Sequence, residues 1–315
     1  MRQDQHRSAP AGNIQRTAVD KTRPNINRPI FCRSGFRTAV SSMTTAPTNL
    51  VPAGVDLSIR QFLEAWRILC TSCPGHTREI GEGIEYIFSG RSASFFNVAV
   101  LTGRGVSRTA LKALGQAACT WAVDKDVPWL FLVTLDSLEP GFDPAAVLDD
   151  CGLAPVMPLV GMLAERLTPA PPKPEELSLQ VPADDTAWAT VIDVNSAAYD
   201  MDLGAGKDLL GPRLSWQEHF PVIGCVDGQP ASSTTVLMAD GYRYVAMVAT
   251  VPERRLRGYA DAVMRRALAE AAQVHGDRPT VLHATDHGRW VYEKMGYVPI
   301  STHVAFMEKR FLPPA

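Results

Sequence analysis

The chain has 315 residues, with 31 lysines and arginines against 33 aspartates and glutamates, a formal net charge of −2 at pH 7, and 46% hydrophobic residues. That length suggests about two domains of ~150 residues each, and the near-neutral balance argues against nucleic acid as a main partner, which calls for a basic domain. No apolar run reaches the ~18–20 residues of a membrane span, and six scattered cysteines fit a reducing, cytoplasmic setting.

Residues 1–50 carry Arg2, Arg7, Arg16, Lys21, Arg23, Arg28, Arg33 and Arg37 against only Asp4 and Asp20, and show no hydrophobic periodicity. They read as a disordered basic extension, with Met43 an alternative start. Pro10, Pro24 and Pro29 and the lack of an amphipathic face set the segment apart from a transit peptide. From Leu57, the residues Ile59, Phe62, Leu63, Trp66, Leu69 and Cys70 make a helical stripe that Pro74-Gly75 stops. Cys70-Thr-Ser-Cys73 has no second ligand pair at zinc spacing and no strand before it, so it reads as a pair of structural thiols.

Strands are expected over residues 84–88 and 95–101. A helix follows over 107–123, with Leu111, Leu114, Ala118 and Trp121 on one face and Ser107 as N-cap. Residues 129–135 form a buried strand, 143–150 a short helix, and 156–167 a closing strand. The run TPAPPKPEELS is a proline-rich linker, so the expected units are 55–168 and 179–312, joined by 169–178.

In the second unit, Trp188, Val191, Ile192, Asn195 and Tyr199 share a helical face. A glycine- and leucine-rich loop over 201–215 leads to a meander of strands at 220–226, 231–238 and 242–251, with Asp227-Gly228 and Ala239-Asp240-Gly241 as hairpin turns. Then come a helix from Ala260 ending at Gly276, a strand at 280–284, a helix at 289–295 ending at Gly296, and a last strand at 300–310. The latter part of each unit repeats one order: strand, long helix, strand, short helix, glycine, strand. Asp150-Cys-Gly-Leu153 takes the place of Lys294-Met-Gly-Tyr297.

The densest chemical signal lies between Val245 and Leu268. A β-branched run ends at Pro252, the segment to Gly258 carries basic residues, and Ala260, Val263, Met264, Ala267 and Leu268 then fall at helical spacing. Strand, basic glycine loop and helix N-terminus make an anion site, because first-turn N–H groups are unpaired and the dipole favours negative charge. No G-x-x-x-x-G-K-[ST], no G-x-G-x-x-G after a strand and no G-x-S-x-G elbow occurs.

What stands there instead, Arg255-Leu256-Arg257-Gly258-Tyr259-Ala260, resembles the acyl-CoA pyrophosphate loop of the GNAT (GCN5-related) N-acetyltransferases. The run His283-Ala-Thr-Asp286-His-Gly288-Arg-Trp-Val-Tyr292-Glu-Lys-Met-Gly296-Tyr297 resembles a second segment of that family. The resemblance implies an α/β fold with a mixed sheet, arranged as two tandem GNAT-like units. It implies acetyl-CoA as co-substrate without a metal, and a small-molecule or peptide primary amine as acceptor. Val248, Ala249 and Thr250 would hold the pantetheine arm through backbone groups. Arg255, Leu256, Arg257, Gly258, Tyr259 and Ala260 would hold the pyrophosphate, with Arg257 the better charge contact.

Tyr292 matches the tyrosine that protonates the departing thiolate, a role open to a phenol of pKa ~10, whereas Tyr297 reads as core. Glu218, His219, Asp240, His283 and Asp286 are alternatives for the general base, with His283 more in keeping with a satisfied core residue. Asn195, Tyr199 and the loop 201–215 would wall the acceptor pocket. Leu256 stands where glycine is common in the family, which implies ordinary backbone angles there. The first unit has Thr102-Gly-Arg-Gly-Val-Ser107 instead of the motif. Gly103-Arg104-Gly105 could still form an anion loop, but a scaffold that has lost the cofactor fits better. A non-catalytic acyl-CoA sensor or interaction module is the alternative reading, and either a monomer or a homodimer is compatible with the chain.

Overall fold

The computed structural model describes residues 52–71, 73, 75–182, 185–199 and 219–312. The basic extension over 1–50 with Met43, the loop 201–215 and Glu218 lie outside the described residues.

Helix α1 (Pro52–Thr71) begins ahead of its apolar stripe and buries Val55, Ile59, Phe62 and Leu63. The edge strand β1 (Thr77–Gly81) has all five residues exposed, so it carries no hydrophobic alternation to announce it. It turns at Gly83, φ 74°, into β2 (Ile84–Phe88). Strand β3 (Asn97–Leu101) starts two residues later than its aromatic run suggests, because Ser94–Phe96 form a 3-10 turn. Ser107 caps α2 (Arg108–Trp121), its hydroxyl accepting from the Ala110 N–H at 3.2 Å. After β4 (Leu130–Thr134) comes α3 (Pro144–Asp149), capped by Asp143. Gly152, φ 82°, releases the chain straight into β5 (Leu153–Ala164), which is why that strand runs three residues ahead of its expected span at both ends.

The second half holds β6 (Ser178–Gln180), α4 (Asp185–Ala198), β7 (His219–Val226), β8 (Gln229–Ala239) and β9 (Tyr242–Thr250). It continues through α5 (Tyr259–His275), β10 (Thr280–Ala284), α6 (Asp286–Met295) and β11 (Val298–Glu308). Helix α6 starts three residues earlier than Arg289. Extended Thr285 is its N-cap, and Asp286 enters the first turn, where its charge complements the dipole.

The described strands form one eleven-stranded mixed sheet in the order β1-β2-β3-β4-β11-β5-β10-β9-β8-β7-β6. The middle of that order is an exchange. Strand β11 pairs antiparallel with both β4 and β5, and β5 pairs antiparallel with both β11 and β10. Each half therefore completes its sheet with the last strand of the other. On either side of the exchanged pair the pattern repeats: β3 runs parallel to β4 as β9 does to β10. The two faces of the first half follow strand alternation. Ala99 and Leu101 pack with Leu111 of α2 and Leu148 of α3, while Val98 and Val100 face α1 with Ile59 and Phe62. In the second half α5 buries Val263, Met264, Ala267 and Leu268 against Val222, Val236 and Val245.

Candidate active site

The sheet opens where β9 passes between β8 and β10. Ser233 pairs with Ala249 and Thr235 with Ala246, so Met247 and Val248 together oppose Thr234. This is a β-bulge, and Met247 sits at its bend with φ 56°. On the other side, pairing of β9 with β10 is confined to Arg243 and Tyr244, so residues 245–250 run free of β10. A disrupted ladder strands carbonyl groups that must find partners elsewhere. Asn195 donates to the Met247 carbonyl at 3.0 Å, Thr234 to Ala246 at 3.2 Å, Ser232 to Ala249 at 2.8 Å and the Tyr199 hydroxyl to Val248 at 3.0 Å. The polar run Ser232-Ser-Thr-Thr235, buried in mid-sheet, is thus the counterpart of the bulge, and it is the signal the sequence reading passed over. Asn195 is 3% exposed and braces the bulge. It does not wall an open pocket, because its carboxamide is enclosed between α4, β8 and β9.

Beyond Thr250 the chain makes a 3-10 turn at Pro252–Arg254 and reaches the glycine loop. Leu256 has φ 63°, which corrects the expectation of ordinary angles at that position. The loop needs a left-handed residue there, and the leucine adopts that conformation with its side chain 87% exposed. Gly258, φ 79°, is the N-cap of α5 and offers no side-chain cap, so the first-turn N–H groups stand open. The six motif residues divide their work. Arg255 ties the loop down, donating to the Thr250 carbonyl at 3.2 Å and the Ala198 carbonyl at 2.7 Å. Tyr259 is buried, with its hydroxyl donating to Glu176 at 2.6 Å. Arg257 is exposed beside them, and Ala260 is half-buried.

Tyr292 on α6 belongs to the apolar cluster against which Val248 packs. Its ring lies against Gly288, where an added Cβ would come 2.8 Å from the ring edge and 3.0 Å from the hydroxyl. Burial raises the pKa of its phenol, and the nearby Tyr199 and Tyr297 phenols add to the effect, so Tyr292 keeps its proton through the neutral range. Its hydroxyl makes no hydrogen bond to the described residues. Tyr297 is a core residue, 2% exposed and hydrogen-bonded to Thr280 at 2.9 Å.

Three of the proposed bases are placed away from proton transfer. Asp240 sits on the turn at the far end of β9, paired with Arg60 at 2.8 Å. His219 is 3% exposed, and burial lowers its pKa to about 4. His283 has both ring nitrogens engaged, by Tyr244 at 2.8 Å and by Ser58 of α1 at 2.9 Å. Through Ser58 it joins Ser301 and His303, the latter lowered to about 3 by burial, in a network that crosses both halves. Asp286 alone of the described candidates is exposed beside the opening, at the start of α6.

Among the described residues the first half has no equivalent opening. Strand β3 pairs with β2 without a bulge and with β4 over Val98–Val100. Val106 bridges to Leu138, with hydrogen bonds from Val106 N–H to Ser137 at 2.9 Å and from Glu139 N–H to Val106 at 3.0 Å. The loop Thr102–Ser107 is thereby pinned, and Ser107 already caps the helix it leads into. Among the described residues no group of His, Cys, Asp and Glu is placed to hold a metal, and no helix is long and apolar enough to cross a membrane.

Comparison with known proteins bears on the same region. Residues 212–313 match the family model of the acetyltransferase (GNAT) domain. No curated protein matches the sequence. Among solved structures, a GCN5-related N-acetyltransferase from Kribbella flavida superposes with a TM-score of 0.61 at 19% identity, over 80% of this chain and 95% of that one. A GCN5-related N-acetyltransferase from Sphaerobacter thermophilus gives 0.51 at 14% identity, over 84% and 95%. A tandem GNAT protein from the clavulanic acid biosynthesis pathway gives 0.50 at 15% identity, over 83% and 95%. The chain shares the fold of these proteins.

Proposed function

We propose that the second half transfers an acetyl group from acetyl-CoA to a primary amine, and that the first half is a degenerate copy of the same unit without a cofactor site. The observation that carries this reading is the bulged strand β9, free of β10 over 245–250, running into an uncapped helix N-terminus behind Gly258. The free edge at Val248, Ala249 and Thr250 suits the amides of a pantetheine arm. The open N–H groups from Gly258 onward suit a pyrophosphate, with Arg257 adding charge and Arg255 and Tyr259 holding the loop in shape.

In the proposed reaction the amine nitrogen, having lost its proton, attacks the acetyl carbon in a direct displacement. The tetrahedral intermediate collapses with cleavage of the carbon–sulfur bond, and Tyr292 gives its phenolic proton to the departing sulfur. A phenol held protonated and without a hydrogen bond to the described residues is suited to that step. The strand exchange gives the first half a use without catalysis, because β5 and α1 complete the sheet and network on which the second half's opening is built.

Calorimetric titration of acetyl-CoA into the wild type and Arg257→Glu tests the reading. Binding by the wild type, weakened at least tenfold in the variant, is expected. A wild type that binds no acetyl-CoA overturns it. Binding without thiol release across an amine panel would instead favour the non-catalytic sensor.

A further inference from the structure

The proline-rich run between the halves has the composition of a spacer, yet its last residues are built into the glycine loop. Ahead of it, the Thr168 hydroxyl donates to the Lys294 carbonyl at 2.8 Å, and Arg265 of α5 donates to the Thr168 carbonyl at 2.6 Å. The end of the run turns back on itself. Leu177 N–H donates to the Pro174 carbonyl at 3.1 Å, and the Lys173 ammonium donates to the Pro174 and Leu177 carbonyls. Leu177, 1% exposed, anchors that turn in a cluster with Val226, Ala231 and Tyr259. Pro174 lies over Gly258, where an added Cβ would come 3.8 Å from its ring.

The turn brings Glu176 to the first residue of α5. Tyr259 directly follows the N-cap Gly258, its ring is fixed in the core, and its hydroxyl donates to Glu176 at 2.6 Å. That hydrogen bond, with the Arg257 and Lys173 charges adding to it, holds the Glu176 carboxyl below the usual carboxylate range. The Arg257 guanidinium hydrogen-bonds to the same hydroxyl. A phenol has one proton, and here it is committed to Glu176, so the Tyr259 oxygen can only accept from Arg257. Carboxylate, hydroxyl and guanidinium are thereby polarised in one sense along a short chain. Arg257 is held by a neutral oxygen, which leaves its charge available to an anion.

We infer that Glu176 is a positioning residue for the cofactor: through the Tyr259 hydroxyl it holds the Arg257 guanidinium at the helix N-terminus where the pyrophosphate is proposed to bind. The inference rests on the acyl-transfer reading. An exposed arginine gives up rotamer freedom when a ligand fixes it, and a contact that fixes it beforehand raises affinity by removing that cost. The segment joining the two halves is then part of the cofactor site.

Calorimetry of acetyl-CoA on the full chain tests this with Glu176→Ala, Glu176→Gln, Arg257→Gln and the double variant Glu176→Ala/Arg257→Gln. Glu176→Ala removes the acceptor and should weaken binding about tenfold. Glu176→Gln keeps an oxygen that can accept from the phenol and should stay within about twofold of the wild type. With Arg257→Gln in place no guanidinium is left to orient, so adding Glu176→Ala should cost less than about twofold. An affinity unmoved by Glu176→Ala, or an equal loss in both backgrounds, overturns the inference, because a residue that merely stabilises the loop gives additive losses. Binding more than about twofold tighter in either Glu176 variant also overturns it, since that is the sign of a carboxylate repelling the cofactor's phosphates. A wild type that binds no acetyl-CoA removes the underlying reading instead, and limited trypsin digestion of the cofactor-free protein then decides the contact by itself. Cleavage after Arg257 should be at least about fivefold faster in Glu176→Ala than in the wild type or Glu176→Gln; an unchanged rate overturns the contact.

Discussion

Replacing Leu256 with glycine should stabilise the protein, an outcome opposite to the usual effect of putting glycine in place of a larger residue. At φ 63° a leucine carries the left-handed penalty of about 1–2 kcal/mol. Glycine removes it and adds an unfolded-state entropy cost of about 0.5–1 kcal/mol. The leucine side chain is 87% exposed, so almost no burial is lost with it. The net is a gain of roughly 0–1.5 kcal/mol, or up to about 2 °C in melting temperature for a chain of this size. Urea and thermal unfolding of the wild type, Leu256→Gly and Leu256→Ala decide it. Alanine keeps the strain and should fall at or below the wild type. A Leu256→Gly variant less stable than the wild type by 0.5 kcal/mol or more would refute the argument, because that is the result expected of an unstrained residue.

Tyr292→Phe should lower kcat about 100-fold, within the range for loss of a general acid, while calorimetry shows acetyl-CoA affinity within twofold; an unchanged kcat would remove Tyr292 from the mechanism. Stability should also fall on mild acidification. His219 and His303 stay neutral in the folded protein down to about 4 and about 3, while the unfolded chain takes up their protons near 6.5. Their contribution is fully present above pH 6.5 and is lost as pH falls below it, by about 1.4 kcal/mol per pH unit for each histidine. Urea midpoints at pH 7.5, 6 and 5 read this slope, which His303→Gln should reduce; a flat profile over that interval would show that the histidines are not held neutral.

The site was legible to the extent that it is local. Pro252, Gly258 and the helical spacing from Val263 onward lie within two dozen residues, and each acts on the backbone next to it, so strand, loop and helix could be read directly. Gly152 and Gly296 likewise announced the ends of short helices, and both adopt left-handed angles. The edge strand β1 was missed because all of its side chains are exposed, which removes the alternation that marks a strand. Leu256 was misjudged because a residue's type states a preference, while its φ is imposed by the two ends of the loop.

What the sequence by itself determined is the set of segments and the chemistry of one loop: which runs become strands, which faces of α2 and α5 are apolar, and where an anion would meet a helix N-terminus. These follow from short-range sterics and from periodicity, which act within a segment. Only the tertiary structure decided the exchange of β5 and β11, which sets His303 opposite Thr134, and the meeting of Ser58 with His283. It alone paired Asn195 with the Met247 carbonyl at the bulge, and brought Ala93 and Phe96 up to α4. The physical reason is that sheet pairing and carbonyl satisfaction are collective. A strand's backbone groups are alike whatever its sequence, so its partner is chosen by how the whole set of apolar faces can be covered at once.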